Sequence, residues 1–246
     1  MSSDDGLYMP DVGEWAERKY ALISYYAEMF STSMKNKWDT RAYIDLFAGA
    51  GRARLRDSSR VVSTSATLAL SVPDPFDRYV FCDIESDCID ALRSRVEVEH
   101  GDARSVDYLV GDSNELAADI VSRMQVLRRG GSLLSFCVVD PYNMSTLRFS
   151  TIAQLSALFA DFLVLIPSYM DAHRNEGTYS EPGNTVVEEF LGDPRWREKW
   201  GSASGEFGAF IVDQFGLAMK RLGFIYNGPG EEVIVHRPGT TGKLYH

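Results

Sequence analysis

The sequence predicts an α/β protein with a Rossmann-like, mostly parallel twisted sheet and helices on both faces. Three observations carry that prediction. Short apolar runs alternate with segments of helical spacing through most of the chain. One run, Leu133-Leu-Ser-Phe-Cys-Val-Val139, is almost wholly apolar, as a central parallel strand covered on both faces requires. A glycine turn, Gly49-Ala-Gly51, follows the first run, and acidic residues stand where that run and later ones end. In sheets of this kind ligands bind beyond the carboxyl ends of the strands.

The elements follow in order. Residues 8–38 space Trp15, Tyr20, Leu22, Ile23, Tyr26, Met29 and Phe30 as one or two amphipathic helices would. Residues 43–47 form the first strand, with a helix expected behind the glycine turn. Ser63–Ser71 reads as a short helix ended by Pro73. Tyr79–Ile84 is the second strand, Ser86–His100 a helix, Tyr108–Val110 the third strand, and Ser113–Arg129 a helix stopped by Gly130-Gly131. Leu133–Val139 is the fourth strand and ends at Asp140-Pro141. Thr151–Ala160 is helical and leads to a fifth strand, Phe162–Ile166. Gly177, Pro182, Gly183, Gly192 and Pro194 make residues 168–208 irregular or short-helical. Ala209–Leu222 is helical, and Glu232–Arg237 and Lys243–His246 are the last strands.

At 246 residues and 45% apolar, the chain suits one large domain or a core with an appended subdomain. Met1-Ser-Ser-Asp-Asp-Gly carries no basic-then-apolar leader, and no apolar run nears about 18 residues, so a cytoplasmic protein without a membrane partner is expected. Cys82, Cys88 and Cys137 are odd in number and form no C-x-x-C, which suggests neither a disulfide framework nor a zinc site. Cys82 and Cys137 fall inside strand patterns and read as small buried hydrophobes. The net charge of −10 makes a poor stand-alone nucleic-acid binder, because such binding draws on phosphate neutralisation. Arg52, Arg54, Arg56 and Arg60 cluster after the glycine turn, either as a solvated face or as a local anion patch.

The stretch Asp45-Leu-Phe-Ala-Gly-Ala-Gly51 carries the most information. Glycines permit positive φ and let the backbone approach a ligand. Gly49 and Gly51 match two positions of the dinucleotide fingerprint G-x-G-x-x-G, but Arg54 stands at the third, where close helix–strand packing wants no side chain. A pyrophosphate turn, and with it a nicotinamide-dependent oxidoreductase, is disfavoured. S-adenosylmethionine has no phosphate to cradle, so two glycines suffice for it.

Acidic residues stand at four successive strand ends: Asp45, then Asp83 or Glu85, then Asp112, then Asp140. A carboxylate at the second end can accept from both ribose hydroxyls; Asp83 is favoured, with Glu85, two residues on and on the same face, as the alternative. Asp112 suits the adenine amino group, with Ser113 or Asn114 offering backbone N–H groups. Asp45 approaches the amino-acid end, in one turn with Phe47, Gly49 and Gly51. Each aspartate alone could be a helix N-cap; recurrence at four successive ends favours a binding constellation.

Asp140-Pro-Tyr-Asn143 is the second signal. An enzyme methylating nitrogen must aim the amine's lone pair at the methyl carbon. The Asp140 carboxylate and the Pro141 carbonyl can accept the two N–H bonds, while the Tyr142 ring stacks on a planar base. A strand-ending turn is the plain alternative. Alignment supplies most of the rate for an activated donor, so a general base is optional; His173 or Tyr169 could serve.

The order DLFAGAG, FCDIE, VGDSNE, VVDPYN resembles class I S-adenosylmethionine-dependent methyltransferases. It is most similar to the three-Cys-motif partner protein family, whose members carry a similar D-x-F-A-G-x-G turn and a D-P-Y-G box. The resemblance covers about residues 17–246. It implies cofactor binding through Asp45, Gly49, Asp83 and Asp112, and a separate partner polypeptide bearing the three-cysteine motif. Three departures stand out: Asn143 replaces a glycine, Ser63-Thr64-Ser65 replaces a glycine-serine-proline turn, and the last strand should run past Lys243-Leu-Tyr-His246. Related D-P-P-Y and D-P-F-G boxes occur in enzymes that methylate exocyclic amines of DNA or RNA bases. The second proline of D-P-P-Y is missing here, which weakens adenine or cytosine N-methylation specifically. Cytosine C5 methylation uses a cysteine nucleophile, usually after proline, and no Pro-Cys occurs.

These readings predict an N-terminal helical segment over residues 1–40. A methyltransferase-like domain over 41–246 binds S-adenosylmethionine, with a substrate cover at about 168–208. The expected activity is methylation of an amine such as a nucleobase exocyclic amine, with a nucleic acid or nucleobase as substrate and a three-cysteine-motif protein as a possible partner. A non-catalytic S-adenosylmethionine-binding regulatory or assembly module is the alternative.

Overall fold

The computed structural model describes residues 4–226 together with 235–236 and 243–245. In chain order its elements are β1 (Asp11–Val12), α1 (Trp15–Met34), β2 (Thr40–Asp45), β3 (Arg52–Leu55), β4 (Val61–Ser63), α2 (Ser65–Leu70), β5 (Arg78–Asp83), α3 (Ser86–His100) and β6 (Val106–Val110). Then come α4 (Ser113–Arg128), β7 (Leu133–Val139), α5 (Phe149–Leu155), β8 (Ala160–Val164), α6 (Glu176–Ser180), α7 (Val186–Leu191), α8 (Trp196–Gly201), α9 (Phe207–Arg221), β9 (Val235–His236) and β10 (Lys243–Tyr245). Two compact units result. One runs to Val139 and takes in Ala157–Val164; the other holds Asp140–Ser156 and the chain from Leu165 onward.

The first unit is built on a five-stranded sheet of order β6-β5-β2-β7-β8 in which every pair is parallel. This is the expected Rossmann-like α/β fold, flanked by helices. Side chains alternate between faces along a strand, so a strand buried at every position is covered on both sides. β7 is buried throughout and β2 from Arg41 to Asp45. On one face an aromatic ladder crosses four strands: Phe136, Tyr43, Phe81 and Tyr108 follow one another with ring centroids 6.0–6.2 Å apart. Phe30 of α1 covers it, 5.1 Å from Phe136. From β2 the chain steps outward to β5 and β6, then returns to the other side of β2 as β7. In open α/β sheets such a reversal, at the strands' carboxyl ends, is where ligands bind.

Behind the glycine turn the expectation needs correcting. No helix starts there; β3 and β4 form an antiparallel hairpin, and β1 pairs with β3 in parallel. The cause is legible locally: Arg52-Ala-Arg-Leu55 alternates with period two, burying Ala53 and Leu55. Ser59, at φ 54°, turns the hairpin, and its N–H donates to Leu55 O at 2.8 Å. Ser63 therefore ends a strand, and α2 begins at Ser65. The 8–38 segment is a single helix preceded by β1. The fifth strand begins at Ala160, not Phe162, because the Ser135 N–H of β7 donates to Phe159 O at 2.8 Å and draws the chain into the sheet; α5 has already ended at Leu155.

The second unit is assembled from short helices. Phe215 of α9 packs on Phe149 and Phe190, while Trp196, Trp200, Phe207 and Phe210 form a neighbouring aromatic group. A π-helical turn, Ser168–Ala172, presents the buried Asp171, whose carboxylate accepts from Met144 N at 2.7 Å, Tyr179 OH at 2.8 Å and Asn175 Nδ2 at 2.8 Å. β9 and β10 pair antiparallel; the remainder of the two expected terminal strands lies outside the described residues. Among the described residues no helix is long and apolar enough to cross a membrane.

The ladder's contribution can be measured. Phe81→Ala should lower the unfolding free energy by about 3–5 kcal/mol. Val98→Ala, on the exposed side of α3, should stay within about 0.5 kcal/mol. Urea denaturation of both variants checks the pair.

Candidate functional site

Three strand ends of the first unit place their aspartates in one local geometry. Asp45 Oδ1 accepts from Phe47 N at 3.2 Å, Asp83 Oδ1 from Glu85 N at 3.0 Å, and Asp112 Oδ1 from Asn114 N at 2.8 Å. Each is an Asx turn, in which the side chain bonds the backbone two residues on and bends the chain out of the sheet. Only Asp112 is also a helix N-cap; Glu85, with an exposed side chain, holds that position on α3. The second oxygens differ. Asp83 Oδ2 accepts from Gly49 N at 2.8 Å and so ties the glycine turn to the end of β5. Asp45, fully buried, takes the Tyr43 hydroxyl at 3.4 Å on Oδ2.

The glycines have distinct work. Gly49 adopts φ +62°, and a Cβ there would point into open space; Gly51, at φ +82°, would drive a Cβ against Leu92 and Thr67 at 2.8 and 2.9 Å. Thr64 N and Thr67 Oγ1 both donate to Gly51 O. No helix N-terminus opens directly behind these glycines, so the usual pyrophosphate cradle is missing. That replaces the packing ground on which Arg54 spoke against a dinucleotide turn, since Arg54 lies in β3.

The electrostatics at these strand ends are acceptor-rich. Burial pushes the Cys82 thiol up to about 12, and the charges of Asp83, Asp45 and Asp112 add to the rise. Those three carboxylates thus bear on one point. Cys82, Cys88 and Cys137 are all buried and unactivated. Two buried hydroxyls, Ser113 Oγ at the start of α4 and Thr64 Oγ1 beside Gly51, have no hydrogen-bond partner among the described residues. Orphaned hydroxyls, carboxylate lone pairs and an open glycine fit a ligand rich in hydroxyl and amino groups. Sequence reasoning assigned Ser113 only a backbone role and passed over Thr64.

The clustered arginines are engaged by acceptors of the chain itself. Arg52 pairs with Asp5 and Glu99, Arg54 with Asp4, and Arg60 with Glu17 at 2.6–3.0 Å, while Arg56 donates to Asp11 O at 3.2 Å. These partners come chiefly from the N-terminal segment and α1. Arg95 of α3, nearly fully buried, binds the same segment: Nε and Nη2 reach the two oxygens of Asp5 at 2.8 Å, and Nη1 donates to Tyr8 O and Ala50 O. Pairings across some 90 residues of sequence leave no local signal, and none was anticipated.

Asp140 follows Val139 directly and is half-buried, Pro141 is buried, and Tyr142 is 85% exposed. Asn143 accepts from Ser145 Oγ at 2.6 Å and Thr146 Oγ1 at 2.8 Å, the turn chemistry that takes the glycine's place. Tyr169 hydrogen-bonds Glu206, and the exposed His173 ring lies 6.0 Å from that of Tyr169. Among the described residues no group of three His, Cys, Asp or Glu side chains could hold a metal ion.

No family model and no curated protein matches the chain. Among solved structures, it is similar to the crystal structure of protein LPL1258 from Legionella pneumophila, assigned to the family model DUF519. That chain shares 11% identity, with 73% of each chain covered and a TM-score of 0.48.

The Asp5 attachment is open to a pH test. The Arg95 guanidinium holds the Asp5 carboxyl down at about 2, from an ordinary 3.8. A depressed carboxyl stabilises the fold above its unfolded value and ceases to do so as pH falls through its folded value. Pepsin cleavage within residues 4–12 should therefore quicken as pH drops from about 4 to about 2. It should be fast throughout that range in Asp5→Asn.

Proposed function

We propose that this protein is an S-adenosylmethionine-dependent methyltransferase acting on nitrogen, with a nucleobase exocyclic amine as the substrate class its residues suit best. The observation that carries the reading is the Asp83 carboxylate. It fastens Gly49 of an open glycine turn to the end of the neighbouring strand, with Asp45 and Asp112 beside the same thiol. Each Asp83 oxygen keeps a second acceptor site for the ribose hydroxyls. Asp112 Oδ2 and the orphaned Ser113 hydroxyl suit the adenine edge, and the turn Asp45–Gly51 suits the amino-acid end.

When bound, the sulfonium supplies an activated methyl group. The chain's own part is to hold and aim. The Asp140 carboxylate and the Pro141 carbonyl accept the two N–H bonds of the amine, which turns its lone pair outward, and the exposed Tyr142 ring stacks on the base. The similarity of the glycine turn, FCDIE, VGDSNE and DPY segments to three-Cys-motif partner proteins supports the same reading. It adds a three-cysteine-motif protein as partner. With every arginine behind the glycine turn engaged by an acceptor, such a partner would also be where an anionic substrate finds its positive charge.

Calorimetric titration with S-adenosylhomocysteine, using NAD as control, tests the cofactor; Asp83→Ala should abolish binding. Asp140→Asn should lower labelled-methyl transfer to a nucleobase panel by about 10-fold to 100-fold, the scale of one lost charged hydrogen bond. Its S-adenosylhomocysteine affinity should stay within about two-fold of wild type. Unchanged transfer would overturn the role of Asp140, and cofactor binding without any transfer would leave a non-catalytic module.

A further inference from the structure

The N-terminal segment lies against the glycine turn. Residues 5–12 run across the glycine turn and are fixed on both sides of Tyr8. On one side Asp5 forms its two-pronged pair with Arg95, and Leu7 O also accepts from that guanidinium. On the other, β1 adds to β3, with Asp11 opposite Arg54 and Arg54 N–H donating to Pro10 O at 2.9 Å. Between these anchors a single nitrogen, Arg95 Nη1, donates to both Tyr8 O and Ala50 O. The Tyr8 main chain is thereby held against the residue between Gly49 and Gly51.

The Tyr8 side chain is not consumed by this arrangement. Half of it is exposed, whereas the aromatic residues of β2 and β5 are buried. Partial burial raises its hydroxyl pKa, and Cys88 with the carboxylates of Glu85, Asp87 and Asp83 raises it further. The Cβ direction of Gly49 nearby is open. A half-exposed aromatic residue whose main chain is tied to Ala50, next to the Gly49 that Asp83 holds, offers what an adenosyl group needs after its hydroxyls are bound, an apolar surface for stacking.

We infer that the segment Asp5–Val12 forms part of the cofactor site and that Tyr8 is its contact residue, with the ring packed on the adenosyl group held by Asp83. Arg95 is a positioning residue: it fixes the segment to the glycine turn and touches no ligand. The inference rests on the S-adenosylmethionine reading above.

Titration of the full chain with S-adenosylhomocysteine and with adenosine tests it, using Tyr8→Ala, Tyr8→Phe and Asp83→Ala. Tyr8→Ala should weaken both ligands about ten-fold or more, the scale of one base–aromatic stack, and Tyr8→Phe should stay within about two-fold of wild type. Hydrogen exchange in residues 5–12 should slow on adding S-adenosylhomocysteine. If the wild type binds, Asp83→Ala does not, and Tyr8→Ala binds as wild type, the Tyr8 contact is overturned while the cofactor reading stands. If the wild type binds neither ligand, both fall.

Discussion

A parallel sheet ends all its strands on one side, and each chain must leave there without stranding backbone N–H groups. Here the repeated solution is an aspartate whose Oδ1 takes the N–H two residues ahead: Asp45 to Phe47, Asp83 to Glu85, Asp112 to Asn114. This one interaction sets the exits of three adjacent strands. The second oxygens of two of these aspartates are used within the unit as well, Asp83 Oδ2 by the Gly49 N–H and Asp45 Oδ2 by the Tyr43 hydroxyl. The residues that terminate the strands are the same ones the proposed function assigns to the ligand, so the two explanations of these aspartates do not compete. The Asp83 bond to Gly49 N then makes the glycine turn and the end of β5 one object.

The hairpin β3–β4 changes what a glycine turn can do. With a helix directly behind it, the turn would aim unpaired N–H groups and a positive dipole end at a ligand, a site for phosphate. Replacing the helix start with a strand removes that field, and the local arginines are engaged by Asp4, Asp5, Glu17, Glu99 and Asp11 O. The crevice keeps its carboxylates and offers no matching cation from this cluster. The same hairpin supplies the edge on which β1 pairs, so the departure that disfavours pyrophosphate also brings the N-terminal segment to the site.

Much of this was legible in the chain. Leu133–Val139 and Ser86–His100 have the boundaries their apolar run and helical spacing predict, because period and capping chemistry are local. The strand-end aspartates were legible for the same reason. The hairpin had a signal, the period-two burial of Ala53 and Leu55, but its arginines read as a surface cluster. Arg95 had none: its partners lie near residues 5–8 and at Ala50, and no window of sequence contains them together. Asp171 is similar, a buried carboxylate whose donors, Met144 N, Asn175 and Tyr179, are gathered only by the folded unit. Local rules delivered the sheet and its acids; what was missed depends on tertiary pairing of charged groups.

The acceptor character of the crevice has a further consequence under the proposed chemistry. A sulfonium carries a positive charge, and Asp45, Asp83 and Asp112 are close enough together to act on one buried thiol. Their summed field favours a cationic ligand over a neutral one, and a partly desolvated site magnifies the difference. Methyl transfer turns the sulfonium into a neutral thioether, so the attraction is present for the donor and lost for its product. A site built from strand-capping carboxylates would thus bind the donor and loosen its hold on the product without any moving part. Burial above all, and the same charges after it, keep the Cys82 thiol protonated.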